Sequence, residues 1–243
     1  MNVVFLGATR GMGKALARKM AARGDRLFLL GRNPEALSRL GSDLSVRGGS
    51  MLGVAACDLE DPATFEPALA SAREAFDFDA VVVTAGLFAT QDELEADAAL
   101  AARVLTVDFT HTVLFCEAAR RHLLARGGGK LCVFSSVAGE RGRKPVVLYG
   151  ASKAGLSHYL EGLDHKYRGD GLEVITVKPG FVKTEMTAAL SPPPFAGEVE
   201  PVAERVLAAI DAGAPEVYAP LAWGPIMAVI RRLPRFVMRR VGF

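Results

Sequence analysis

Short apolar runs recur along the chain at 3–6, 27–30, 51–57, 80–83, 130–135, 173–177 and 216–219. They are rich in Val, Leu and Ile and alternate little with polar residues, which is the pattern of strands buried on both faces. Between them, apolar positions three and four apart predict helices over 11–23, 34–47, 62–76, 104–126, 149–167 and 201–212. Strands separated by helices pair in parallel, and right-handed crossovers wind the sheet outward from its first strand. The expected fold is α/β, a Rossmann-like doubly wound parallel sheet of about seven strands with helices on both faces.

Composition narrows this further. The 243 residues are 50% hydrophobic and 23% charged, enough for a sizeable core. No repeat or Ser/Gly/Pro-rich linker divides them, so residues 1–243 read as a single domain. A net charge of +2 is too small to imply a nucleic-acid partner. The charge is uneven, however: residues 217–243 hold five Arg and no acid. Cys57, Cys116 and Cys132 are odd in number and far apart, against a disulfide framework and in favour of a reducing, cytoplasmic setting. The four histidines, His111, His122, His158 and His165, lack metal-ligand spacing, so no metal is expected. The N-terminus has no signal-peptide pattern, and no run of 18 uncharged apolar residues predicts a membrane span.

Gly7-Ala8-Thr9-Arg10-Gly11-Met12-Gly13 follows the first strand and opens the first helix. Glycines let backbone amides approach a pyrophosphate, and the helix N-terminus adds partial positive charge. The spacing is G-x-x-x-G-x-G, which departs from the commoner G-x-G-x-x-G dinucleotide fingerprint. An NAD site usually ends its second strand on an acid that binds the ribose 2′-hydroxyl. Here that place reads Arg32-Asn33, and Arg10 lies in the glycine loop, so the charges favour a 2′-phosphate and NADP(H), with NAD(H) left open.

Tyr149 and Lys153 stand four residues apart, on one helix face. A neighbouring ammonium lowers a phenol's pKa, so Tyr149 can exchange a proton with a carbonyl or alcohol oxygen. Ser136 ends the fifth strand 13 residues earlier, at the edge where parallel sheets bind ligands.

Together these residues resemble the short-chain dehydrogenase/reductase family in its common form of about 250 residues, and the resemblance covers essentially the whole chain. The family's elements appear in order: the glycines, Cys57-Asp58-Leu59, Thr84-Ala85-Gly86, Ser136, Tyr149, Lys153, and Pro179-Gly180-Phe181-Val182-Lys183-Thr184. The resemblance implies a hydride exchanged between nicotinamide and a carbonyl or secondary alcohol. Tyr149 would be its general acid or base, Lys153 would hold the nicotinamide ribose, and Ser136 would orient the carbonyl. Asp58 and Leu59 would lie at the adenine, Ala85 and Gly86 beside the cofactor, and Pro179, Gly180, Val182 and Thr184 beside the carboxamide. A homodimer or homotetramer is also implied.

Two positions depart from the family pattern. Val83-Thr84 replaces a usual asparagine pair, and Asp108 follows Val107 where an Asn is common; an acid there would hold Lys153 ionised and alter the proton relay. Arg141, Arg143 and Lys144 lie between Ser136 and Tyr149, a charge run that suits an anionic substrate but also an ordinary solvated loop. Residues 223–243 form a basic amphipathic C-terminal extension, with Trp223 and Phe243 as interfacial anchors if it lies on a membrane surface. The competing uses of this extension are a pocket lid kinked at Pro234 or an oligomer contact. Some family members acting on lipid-linked substrates, such as those that reduce decaprenylphosphoryl-2-keto-ribose, have a similar ending. A catalytically silent cofactor-binding regulator, or a membrane-peripheral scaffold with the same fold, is the alternative to an enzyme.

Overall fold

The computed structural model describes residues 1–242. Its strands are β1 (Asn2–Leu6), β2 (Arg26–Gly31), β3 (Ser50–Ala56), β4 (Ala80–Val83), β5 (Gly129–Phe134), β6 (Leu172–Pro179) and β7 (Glu216–Ala219). They form one sheet in the order β3-β2-β1-β4-β5-β6-β7, with every neighbouring pair parallel. Alternate side chains of β1 feed two cores: Val3 and Phe5 face one, Val4 and Leu6 the other. Helices α1 (Gly11–Ala22), α2 (Pro34–Val46) and α8 (Val199–Ala212) cover the first face. Helices α3 (Phe65–Ala75), α6 (Thr112–Ala125) and α7 (Val147–Tyr167) cover the second.

The strand and helix assignments agree with the sequence pattern except in two places. The single helix expected over 104–126 is α5 (Ala98–Leu105), a π-helical turn (Thr106–His111) and α6, preceded by the short α4 (Gln91–Ala96). The start signals of the missing elements are in the sequence: Thr90 and Glu93 make a reciprocal capping box for α4, and Asp97 accepts from the Ala99 and Leu100 amides to open α5. The run Ala98–Ala125 is long and apolar enough to cross a membrane by length and composition. Here its apolar side chains Phe115, Cys116, Ala119 and Leu123 are spent in the second core.

The second difference is the tail. The basic amphipathic extension expected over 223–243 forms two short helices, α9 (Trp223–Ile230) and α10 (Arg235–Met238), broken before Pro234, which lacks the amide to continue a helix. Met227 and Ile230 are buried with Val137, so much of the apolar stripe faces the protein. Trp223 packs on Gly180, where a β-carbon would come within 2.1 Å of the indole, so it is not a free interfacial anchor. Phe243, the other expected anchor, lies outside the described residues.

Candidate active site

Chain order reverses between β1 and β4, and a parallel sheet opens a crevice at that point. The glycine loop fills its floor. Gly7 has φ +98°, and a β-carbon there would stand 2.4 Å from the Ala85 amide nitrogen, so only glycine lets the two strand ends approach. Thr84 completes the junction by donating its hydroxyl to the Gly7 carbonyl at 2.9 Å. This tie explains why the departure from an asparagine pair at 83–84 leaves the loop intact.

A groove of about 830 Å³ opens from here. Thr9, Arg10, Gly11, Met12 and Gly13 wall it on one side, Arg32, Asn33, Asp58 and Leu59 on another, and Ala85, Gly86 and Thr184 at its inner end. Most expected cofactor residues are thereby brought together. Ser136, Tyr149, Lys153, Pro179, Gly180 and Val182 stand outside the groove wall, with Gly180 covered by Trp223. Asn33 spends its side-chain oxygen on the Ala36 amide as the cap of α2.

Sequence reasoning missed several charged residues in the groove wall, namely Lys14, Arg18, Arg39 and Glu60. For Lys14 and Arg18 the signal was available: positions 10, 14 and 18 are four residues apart and share a face of α1 and its cap. Glu60 bridges Arg32, at 3.2 Å, and Arg103, at 2.5 Å, and these arginines, Arg103 foremost, hold its carboxyl below the usual range. Arg10 has a 3.8 Å pairing with Glu185, both largely exposed, a contact of little energetic weight.

At Gly86 the groove meets a buried polar cluster. Asp108 is fully buried, accepts from the Leu87 amide at 2.7 Å, and its second carboxylate oxygen lies 3.4 Å from Lys153 Nζ. Lys153 is 5% exposed and its ammonium lies 5.6 Å from the centre of the Tyr149 ring. Phe88 packs edge-on against that ring at 5.1 Å. Burial disfavours the Asp108 carboxylate and raises its pKa, Lys153 working against that. Burial also opposes charge on Lys153, but Asp108 and Tyr149 outweigh it and hold the ammonium protonated. Burial raises the Tyr149 pKa, with Lys153 and Ser136 pulling it down and Asp108 pushing it up. Ser136 accepts from the Ala138 amide at 3.0 Å, holding the turn in which its hydroxyl faces Tyr149. Tyr149, Lys153, Asp108 and Ser136 thus form one constellation, with Asp108 on the π-helical turn that bulges it inward.

The loop from Ser136 to Tyr149 is tied to the tail. Glu140, its side chain 5% exposed, receives Lys178 at 2.6 Å, Arg231 at 2.8 Å and the Tyr218 hydroxyl at 3.0 Å. Arg141 donates to the Leu233 carbonyl at 2.8 Å. The three cations of this loop therefore do not form one solvated patch: Arg141 is fastened, Arg143 is half-buried and Lys144 is exposed.

Comparisons with known proteins agree with this arrangement. Residues 1–194 match the short chain dehydrogenase family. An uncharacterised oxidoreductase of Mycobacterium tuberculosis is 33% identical over 240 residues, covering 98% of this chain and 96% of that protein. The 3-oxoacyl-[acyl-carrier-protein] reductase of Escherichia coli is 30% identical over 199 residues, 79% of this chain and 77% of that one. Among solved structures, a short-chain dehydrogenase from Sphingobium yanoikuyae in complex with NADPH superposes with a TM-score of 0.81 at 22% identity, covering 99% of this chain and 96% of that one. Such relatives do not favour a silent scaffold. With its parallel sheet, its glycine-floored groove and the Ser136, Tyr149 and Lys153 constellation, the chain belongs to the short-chain dehydrogenase/reductase family, the NAD(P)-dependent oxidoreductases of small carbonyl and alcohol substrates.

Proposed function

We propose that this protein is an NADP(H)-dependent reductase of a small carbonyl compound, with Tyr149 as its proton donor. The observation that carries the reading is the cluster of Tyr149, Lys153 and Asp108, which meets the arginine-lined groove at Gly86. The residues present suit a dinucleotide: Gly7 allows the close floor, and the opening of α1 has no acid in its first turn to repel a pyrophosphate. Arg10 and Arg32, with Arg39 beside them, would hold a 2′-phosphate. Lys153 would reach the nicotinamide ribose. The bound nicotinamide supplies or accepts the hydride. Ser136 donates to the carbonyl oxygen and orients it, and Tyr149 gives that oxygen its proton as negative charge develops there. Burial raises the Tyr149 pKa, so the phenol keeps the proton it donates in this step.

Titrating the protein with NADPH and with NADH, followed by nucleotide fluorescence at fixed salt, tests the cofactor reading. Tighter NADPH binding, weakened in Arg32→Ala, supports it, and equal or tighter NADH overturns it. Tyr149→Phe should lower kcat by about 10²–10⁴-fold with nucleotide affinity retained.

Two further assignments concern the protein's surface. The shallow groove between α6 and α7, lined by Arg120, His158, Tyr159 and Lys166, and the exposed Leu114 suit a homodimer or homotetramer, which light scattering would establish. Exposed Val229 and Phe236 beside Arg235, Arg239 and Arg240 leave the tail some means of touching an anionic membrane from the cytoplasmic side, although its inner face is already used.

A further inference from the structure

We infer that Arg143 is a binding residue for an anionic group, a carboxylate or phosphate, carried by the substrate on the side of its carbonyl away from the cofactor. The inference rests on Ser136 and Tyr149 being the reacting pair, because Arg143 lies in the loop that joins them, next to the 3-10 turn Lys144–Val146 that leads into α7.

Partners distinguish Arg143 from the other half-buried arginines. Arg18 pairs with Asp43, Arg120 with Glu117, Arg205 is fastened to the Tyr218 carbonyl, and Arg141, the loop neighbour of Arg143, to the Leu233 carbonyl. Arg143 has no carboxylate within ion-pair distance among the described residues, and its Nε is fully shielded with no hydrogen-bond partner among them. Burial alone pushes its pKa down, with no neighbouring acid to oppose the shift.

The surroundings add to the excess of positive charge. Lys144 is adjacent, and α7 starts with no acid in its first turn, so the positive end of the helix dipole is unopposed by its own residues. The side chain that reaches that end is neutral: Gln91 accepts from the Leu148 amide at 3.1 Å. Of the acids of α4, Glu93 caps at Thr90, Glu95 accepts from Gln91, and Asp92 is exposed and makes no ion pair with Arg143. A desolvated guanidinium with no counter-charge lowers stability, whereas one that gains its counter-charge with the ligand gives a planar, two-pronged grip on a carboxylate or phosphate. Arg143 fits the second case.

The test uses NADPH-saturated protein and a matched pair of ketones, acetoacetate and its uncharged ethyl ester, which differ at the anionic end. Inorganic phosphate serves as a separate binding probe, read as a rise in melting temperature against chloride at equal ionic strength. Arg143→Gln should raise KM for acetoacetate by about tenfold or more and leave KM for the ester unchanged, with NADPH affinity intact. Arg143→Lys should recover part of the loss. Arg143→Met should melt no lower than the parent and lose the phosphate response, because an unpaired buried cation has been removed. If Arg143→Met melts lower and the acetoacetate-to-ester ratio stays unchanged in Arg143→Gln, Arg143 is structural and the proposal fails. Should the parent reduce neither ketone, the reductase reading loses support and the phosphate response decides Arg143 alone. A response lost in Arg143→Gln sustains the site; an equal or absent response in parent and variant overturns it.

Discussion

At position 108 this chain carries an acid where the family resemblance leads one to expect an Asn. An amide at that position would be neutral, whereas Asp108 sets a charge 3.4 Å from Lys153 and within electrostatic reach of Tyr149. Its effect on the phenol is upward, against the downward pull of Lys153. Carbonyl reduction needs the protonated phenol, so activity should hold at low and neutral pH and fall as pH rises through the Tyr149 pKa. Asp108→Asn removes one upward influence and should move that alkaline limb to lower pH, as measured by kcat/KM for NADPH-dependent reduction. An upward movement would instead mean that Lys153, deprived of its partner in a buried site, had lost its proton. The residue types of this cluster were legible from the Tyr149/Lys153 spacing and from Ser136. The burial of Asp108 was not, because it depends on where a helix bulges.

That bulge belongs to the element scale. A helix that ran regularly from α5 into α6 would aim residue 108 differently; the π-helical turn adds a residue to one turn and points Asp108 toward Lys153 and Gly86. Thr112 secures it by donating to the Val107 carbonyl at 2.7 Å, in a site where Thr112 itself is buried. Thr112→Val keeps the shape but leaves that carbonyl without its donor, and should cost about 1–3 kcal/mol in denaturant unfolding. It should also lower kcat more than it changes NADPH affinity, since Asp108 would shift relative to Lys153; an unchanged kcat would sever the link between the bulge and the site. Periodicity found the helix because the apolar spacing of α6 is regular. It placed the start late and missed the bulge because a π turn inserts one residue without changing residue types, and its Thr112 tie reads locally as an ordinary helix position.

Across the whole molecule, the parallel sheet was readable because its central strands β1, β2 and β4 are apolar on both faces, and the glycine loop because β1 ends directly on Gly7. The tail was not, because one amphipathic pattern serves equally for packing on a membrane, on another subunit or on the protein's own loops. The structure assigns much of its apolar face to the last of these through Met227, Ile230 and Trp223, and adds a polar clasp that no sequence spacing reveals, since Glu140, Lys178, Tyr218 and Arg231 come from four separate segments. Glu140 is the centre of that clasp, and removing it strands Lys178 between a lost partner and Glu216. Glu140→Ala should therefore destabilise the protein by about 1–3 kcal/mol, since Lys178 loses one of its two carboxylates and Tyr218 its acceptor. Arg231→Gln, at the half-exposed rim of the clasp, should cost much less in global stability yet speed proteolytic cleavage within 231–242, because it loosens the tail and leaves Lys178 paired. Equal cleavage in parent and Arg231→Gln would mean that Met227, Ile230 and Trp223 hold the tail unaided, and that the clasp serves the Ser136 loop alone.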